Sequence, residues 1–195
     1  MQQKNNAKIE IALGLTDTQT DSGVLPVGTE DARKYLPFLL TFLIFFLDQA
    51  TKYAVQKYIP LHSVGLDLFS GLLRIIHVKN TGIAFSVGQD LPFLLRRFLF
   101  AVFPTILLIV VSIISFRSPD FTRLQRRMIA GIIGGGLGNL FDRFFRTDGV
   151  IDFIDVKFFG LFGLERFPTF NVADTSVIVF GIILIASFLI GDEGT

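Results

Sequence analysis

The chain has 195 residues, 51% hydrophobic and 18% charged, with a mean hydropathy of +0.59. So little charge would leave a soluble domain of this size poorly covered, which favours a bilayer protein, and a net charge of +1 gives no electrostatic case for nucleic acid. The absence of Cys excludes disulfides and thiolate chemistry, two histidines (His62 and His77) are a poor basis for a protein-built zinc site, and 23 Phe with no Trp leave any interfacial belt to Phe and Tyr.

Residues 1–34 are polar and turn-rich, without an apolar run long enough for a signal-peptide core, and are expected to form a flexible cytoplasmic extension. A first membrane span is predicted over about 35–58. It is apolar through Leu47, after which Asp48 and Lys52 share one helical face. Those first 13 residues reach only about 20 Å, short of a hydrocarbon core of roughly 30 Å. The helix therefore needs its later turns, which puts Asp48 and Lys52 inside the bundle; a plain surface pair where the helix leaves the membrane is the alternative.

Over 59–91 the pattern changes to glycines, period-two fragments such as LLRIIHV and a turn at Asn80–Gly82, the signature of a small sheet or cradle lying on the membrane. His62 and His77 are expected to be interfacial. A second span covers about 92–116, with Arg96 and Arg97 able to snorkel to headgroups. The following loop carries Arg117, Arg123, Arg126 and Arg127, which marks it as cytoplasmic. The third span, about 128–145, contains Gly131, Gly134, Gly135, Gly136 and Gly138, which let a neighbouring backbone approach. At its end Asn139, Asp142 and Arg143 have the spacing to meet on one side. The fourth span, about 171–190, opens with Asn171 and Asp174, where a carboxylate gains from the helix N-terminus and Asn171 fits an N-cap.

Four spans return the C-terminal tail, 191–195, to the side of the N-terminus. The connections 59–91 and 146–170 then share the extracytoplasmic face, where Asp48, Asn80, Asn139, Asp142, Asp152 and Asp174 gather. Ionisable groups at membrane depth are costly and point to function. Two carboxylates sharing a proton supply a general acid and a general base, enough for peptide hydrolysis without serine, thiol or metal. Asp152, in GVIDFIDV, and Asp174, 22 positions later, are candidates. Asp155, Asp148 and Asp142 compete, and the apolar flanks Ile151 and Phe153 favour Asp152 only weakly. Metal-assisted phosphoryl or headgroup transfer, with Asp48, Asp142, Asp152 and Asp174 as Mg²⁺ or Mn²⁺ ligands and Lys52 and Arg143 as phosphate binders, and a carboxylate-relay carrier are the rival chemistries.

LDQATK at 47–52, NTGIAF at 80–85, GNLFDR at 138–143, VIDF at 150–153 and FNVAD at 170–174 closely resemble, in this order, the motifs of the bacterial lipoprotein signal peptidase (signal peptidase II) family. The resemblance covers about 35–190. It implies a membrane peptidase domain of four transmembrane helices, all-α apart from a small extracytoplasmic β cradle, in the bacterial inner membrane with both termini cytoplasmic. It further implies a monomeric, metal- and cofactor-independent aspartyl endopeptidase. Its substrates would be diacylglyceryl-modified prolipoproteins among membrane lipids, cut on the amino side of the lipidated cysteine, and globomycin would inhibit it. By the same resemblance Asp152 and Asp174 are the catalytic dyad. Asn171 orients it or holds substrate, Asn139 and Arg143 order the site, Asp142 is a structural partner, Asp48 and Lys52 brace the first helix, and Asn80 contributes from the outer lobe. Two departures stand out: FFRTDG looks one residue longer than usual, and Phe167 occupies the place before proline where the family commonly has Trp.

Overall fold

The computed structural model describes residues 28–82, 88, 90–146 and 148–191. The rest of the expected N-terminal extension, most of the C-terminal tail and residues 83–85 of the NTGIAF segment lie outside them. Contacts divide the chain into two units, Met1–Lys34 and Tyr35–Thr195, and of the first only the opening turns of a helix are described.

That helix, α1 (Gly28–Tyr58), starts seven residues before the expected span, and its stretch Pro37–Tyr58 is long and apolar enough to cross a membrane. Its buried stripe is Thr41, Ile44, Asp48, Lys52 and Val55, at helical spacing, while Leu39, Phe42, Leu43, Phe46 and Leu47 are exposed. The helix thus turns its polar groups inward and its apolar groups outward, as lipid demands. The second span is one rod, Phe93–Arg117, built from α2 (Phe93–Arg97), a π-turn (Phe98–Val102) and α3 (Phe103–Arg117). The wide turn falls just before Pro104, which has no N–H to offer the helical ladder. Beyond α3, Arg126 covers the last carbonyls, donating to Ser115 O and, at 2.6 Å, to Ser118 O.

Helix α4 (Arg123–Phe145) opens with a reciprocal capping box between Thr122 and Gln125, so it begins earlier than the expected 128. It is long enough to span, but the described residues hold only three helices that are apolar enough by composition, α1, the α2–α3 rod and α5 (Val172–Gly191). The difference has a physical reason. Most of the middle of α4 is buried by its neighbours, so less of it has to satisfy lipid. A Cβ at Gly134 would come within 2.8 Å of Thr41 O, and one at Gly135 within 2.5 Å of Ala173 O. The glycines therefore bring α1 and α5 into backbone contact with α4, and Thr41 Oγ1 and Ser176 Oγ donate across these seams to Ala130 O and Gly131 O.

At one end of the bundle sits an open antiparallel sheet in the order β1 (Val64–Leu68), β2 (Leu73–Asn80), β3 (Val150–Leu161), β4 (Leu164–Arg166). The two long connections thus form one sheet, with Asn80 paired to Val150 and Val78 to Asp152. Val55, Ile59, Ile151 and Phe153, with Ile75, Ile154 and Val172 against them, seal the sheet onto the helix ends. Phe170 exchanges backbone hydrogen bonds with Phe153 and Ile154, which delivers the start of α5 to the side of β3. His77 is not interfacial: it is 4% exposed, with Nδ1 2.8 Å from Ile59 O, because the end of α1 closes over β2. This α-helical membrane bundle with a small β cradle is the fold class expected from the motifs.

Candidate active site

The site is assembled around Lys52, whose side chain is fully buried. Its Nζ reaches Asp48 Oδ2 at 2.8 Å, Asp142 Oδ2 at 2.9 Å and Asn139 Oδ1 at 2.9 Å, which uses all three ammonium protons. Asp48 and Asp142 are likewise fully buried, so Asp48 and Lys52 are not a surface pair. Asp48 Oδ1 also accepts the Ala173 N–H at 3.0 Å, tying α1 to the first turn of α5. Asp142 Oδ1 is bridged by Arg146 Nε at 2.8 Å, and its Oδ2 accepts the Ile151 N–H at 3.4 Å where β3 begins.

From Asn139 the network runs outward. Its Nδ2 donates to Asp174 Oδ1 at 2.7 Å, and its Oδ1 accepts from Asn171 Nδ2 at 3.0 Å. Asn171 is the N-cap of α5: its Oδ1 accepts the Asp174 N–H at 2.9 Å, and Asp174 Oδ2 accepts the Asn171 N–H at 3.1 Å. Capping uses only the oxygen of the Asn171 amide. The nitrogen donates to Asp152 Oδ1 at 2.8 Å, so one side chain both starts the helix and links the two aspartates. Asp152 Oδ2 accepts from Asn80 Nδ2 at 3.0 Å. Asp152 is 3% exposed, whereas Asp174 is partly open. Burial first, and then the negative charge of Asp174, push the Asp152 carboxyl up from 3.8 to about 7, against the opposing pull of the Asn80 and Asn171 amides.

Asp155 is committed elsewhere, with Arg166 Nε 2.6 Å from both its oxygens. Asp148 pairs with Lys79 at 2.5 Å. Arg143 does not join Asn139 and Asp142 as their spacing suggested. Its Nη2 donates to Gly82 O at 2.9 Å and its guanidinium lies 5.4 Å from the Phe100 ring centre, beside a cavity of about 210 Å³ also lined by Thr81, Arg96 and Arg97. Gln49 and Arg146, which spacing does not mark, also join the network. Gln49 Nε2 reaches Asp48 Oδ2, Gly138 O and Asp142 Oδ1 at 3.0, 3.1 and 3.3 Å. Arg146 Nη1 donates to Gln56 Oε1 at 2.6 Å. The positions beside Asp48 and four after Asp142 were the available signals.

The model of the family described as "Signal peptidase (SPase) II" matches residues 40–190. Similar proteins include the lipoprotein signal peptidase of Treponema pallidum (strain Nichols), 44% identical over 156 residues that cover 80% of this chain and 84% of that protein. The lipoprotein signal peptidase of Treponema denticola is 47% identical over 148 residues, covering 76% and 85%. Among solved structures, a bacterial membrane enzyme determined by the in meso method at 2.3 Å superposes with a TM-score of 0.67 at 26% identity, covering 81% of this chain and 89% of that one. Another, at 1.9 Å, gives 0.65 at 27% identity, covering 78% and 92%. A match this long, on a multi-pass bundle of this shape, means that the chain belongs to the signal peptidase II family of aspartic endopeptidases of the bacterial inner membrane.

Proposed function

We propose that the chain removes the signal peptide from diacylglyceryl-modified prolipoproteins on the amino side of the lipidated cysteine, with Asp152 and Asp174 as the catalytic pair. The observation that carries the assignment is the buried Asp152 carboxyl, linked to Asp174 through the Asn171 and Asn139 amides and pushed up to about 7 by burial and by Asp174. Asp152 is the protonated member and hydrogen-bonds the scissile carbonyl oxygen. Asp174, with both oxygens accepting hydrogen bonds, takes a proton from water as its oxygen attacks the carbonyl carbon. The Asp152 proton moves to the forming oxyanion. Collapse of the tetrahedral diol then breaks the C–N bond, with the Asp174 proton passing to the leaving amine and the diol proton returning to Asp152.

Asn171 and Asn139 hold the pair in register, Asn80 braces Asp152 from the sheet, and Arg143 fixes the chain at Gly82 where the substrate backbone would pass. Lys52, Asp48 and Asp142 form the buried base that supports Asn139. The Lys52 ammonium occupies the space between Asp48 and Asp142 that a divalent cation would need, which counts against the metal-assisted reading. The arginine-rich turn around Arg117, Arg123, Arg126 and Arg127 supports a cytoplasmic position for that end. The sheet and the aspartates, at the other end, then face the extracytoplasmic side with both termini cytoplasmic. Acyl chains of the substrate stay in the bilayer while the peptide reaches the polar pocket, where globomycin would also bind.

The test is cleavage of a purified diacylglyceryl-modified prolipoprotein in detergent or lipid with chelator present. Wild type and D155N should cut, while folded D152N and D174N should not. Activity retained in D152N and lost in D155N would overturn the assignment. Activity lost on chelation and restored by Mg²⁺ would overturn the metal-independent chemistry.

A further inference from the structure

The sheet carries a second feature far from the aspartates. Its β1–β2 and β3–β4 turns lie at the same end, because Leu73 pairs with Val156 and the Lys157 N–H donates to Leu72 O. That end is about 23 Å along β3 from Asp152, at roughly 3.3 Å per residue. Both turns, and the end of β3 that leads into the second, present Phe from a backbone conformation that L-residues avoid: Phe69 at φ 52°, Phe159 in β3 at φ 56° and Phe162 at φ 54°, with Ser70 at φ 56°. The three residues are 77%, 71% and 87% exposed. Large rings held outward at an unfavourable φ call for a compensating contact.

Beside them Val64, Leu66 and Leu68 are exposed along the edge strand β1. In water this would be an adhesive edge, yet its register breaks between Val64 and Leu66, which spoils the regular ladder that an added strand or a second copy would need. On a membrane-spanning protein the bilayer is at hand to cover such a surface. Lys157 supports that environment, its ammonium lying 5.3 Å from the Phe159 ring centre and able to reach headgroup phosphates while the ring sits deeper.

We propose that the two turns are membrane-inserting fingers: Phe69, Phe159 and Phe162 enter the acyl–headgroup boundary of the adjacent leaflet, so that the sheet lies along the bilayer instead of standing up from it. The inference is independent of which aspartates are catalytic. It gives the sheet a lipid floor over its whole length and fixes the height of Asp152 above the hydrocarbon at two points, the helix ends and the fingertips.

The chain contains no Trp, so F162W is a single-tryptophan reporter. The full chain carrying F162W is reconstituted into phosphatidylcholine–phosphatidylglycerol vesicles, with helical circular dichroism as the check on folding. Insertion gives blue-shifted emission, loss of most of the intensity when the acyl chains are brominated, and little quenching by aqueous iodide. Emission quenched by iodide and indifferent to brominated lipid places the tip in water and overturns the proposal. Emission shielded from both quenchers means that protein covers the tip, which also overturns it. F69W, on the other turn, supplies the same readout should F162W not fold.

Discussion

Replacing Asn80 with Ala tests the electrostatics of the proposed dyad without touching either carboxylate. In the folded protein the Asn80 amide donates to Asp152 Oδ2 at 3.0 Å and favours the charged form of a carboxyl that burial and Asp174 already hold up at about 7. A hydrogen bond to a charged group contributes about 1.5–3 kcal/mol net, and one pKa unit is about 1.4 kcal/mol. With Asp152 only 3% exposed, solvent screens little of this, although water entering the space left by the amide recovers part of it. Deprotonation of Asp152 should therefore shift upward by about one unit. If the singly protonated pair is the active form, kcat/KM of the free enzyme falls above neutral pH in the wild type, and in N80A that fall moves to higher pH. The assay is the pH dependence of prolipoprotein cleavage at low substrate in detergent. Asn80 Oδ1 also accepts the Gly82 N–H at 2.9 Å, so a merely structural defect would lower the rate at every pH and leave the midpoint in place. An unmoved midpoint, or one displaced downward, would refute the reasoning.

Asp152 should also make stability depend on pH. Its folded pKa, about 7, lies above the ordinary 3.8, so the folded protein keeps a proton that the unfolded chain loses. The stabilisation is complete below that ordinary value and is lost as pH rises through about 7, by about 4 kcal/mol. D152N should remove this slope and unfold at a higher temperature than wild type at pH 8, with the difference shrinking toward pH 5. K52M leaves Asp48 and Asp142 buried without their shared cation, which costs about 3–5 kcal/mol. Circular dichroism in detergent should show a fall in Tm of about 6–20 °C, at about 2–4 °C per kcal/mol. A K52M midpoint equal to wild type would mean that the triad does not stabilise the bundle. G135A forces a methyl to within 2.5 Å of Ala173 O and should destabilise by about 1–3 kcal/mol. G181A meets nothing within 4 Å and should be neutral or slightly stabilising. Equal melting of the two variants would argue against the close α4–α5 seam.

Three of the expected spans, the inward polar stripe of α1 and the glycine contacts of α4 were readable because each depends on local periodicity. Which partner a polar side chain meets was less so. Gln49 and Arg146 are long chains whose targets depend on how α1 docks against α4, and that docking is set by Gly134 against the Thr41 carbonyl. Arg143 left its expected neighbours because the Gly82 carbonyl and the Phe100 ring come from other parts of the chain. The pairing of β2 with β3 was hidden for a different reason. Ile151, Asp152 and Phe153 are all buried, so this part of β3 lacks the in–out alternation that announces a half-exposed strand. His77 sits in a period-two fragment that marks alternating faces but not the one that the end of α1 covers.

Charge balance explains why the site has two compartments. Lys52 and Arg146 offset Asp48 and Asp142 through direct contacts, two basic side chains against two acidic ones. Beyond Asn139 and Asn171, no cation among the described residues contacts Asp152 or Asp174 directly. The Arg143 guanidinium, whose field reaches both, donates instead to the Gly82 carbonyl. The positive charge of Lys52 also reaches Asp152, and it opposes the upward push of burial and of Asp174 on that carboxyl. The two asparagine amides bridge the compartments through hydrogen bonds and bring no charge of their own. Replacing either with a cation or an anion would upset the balance on which, in the proposed chemistry, the acid–base division between Asp152 and Asp174 rests.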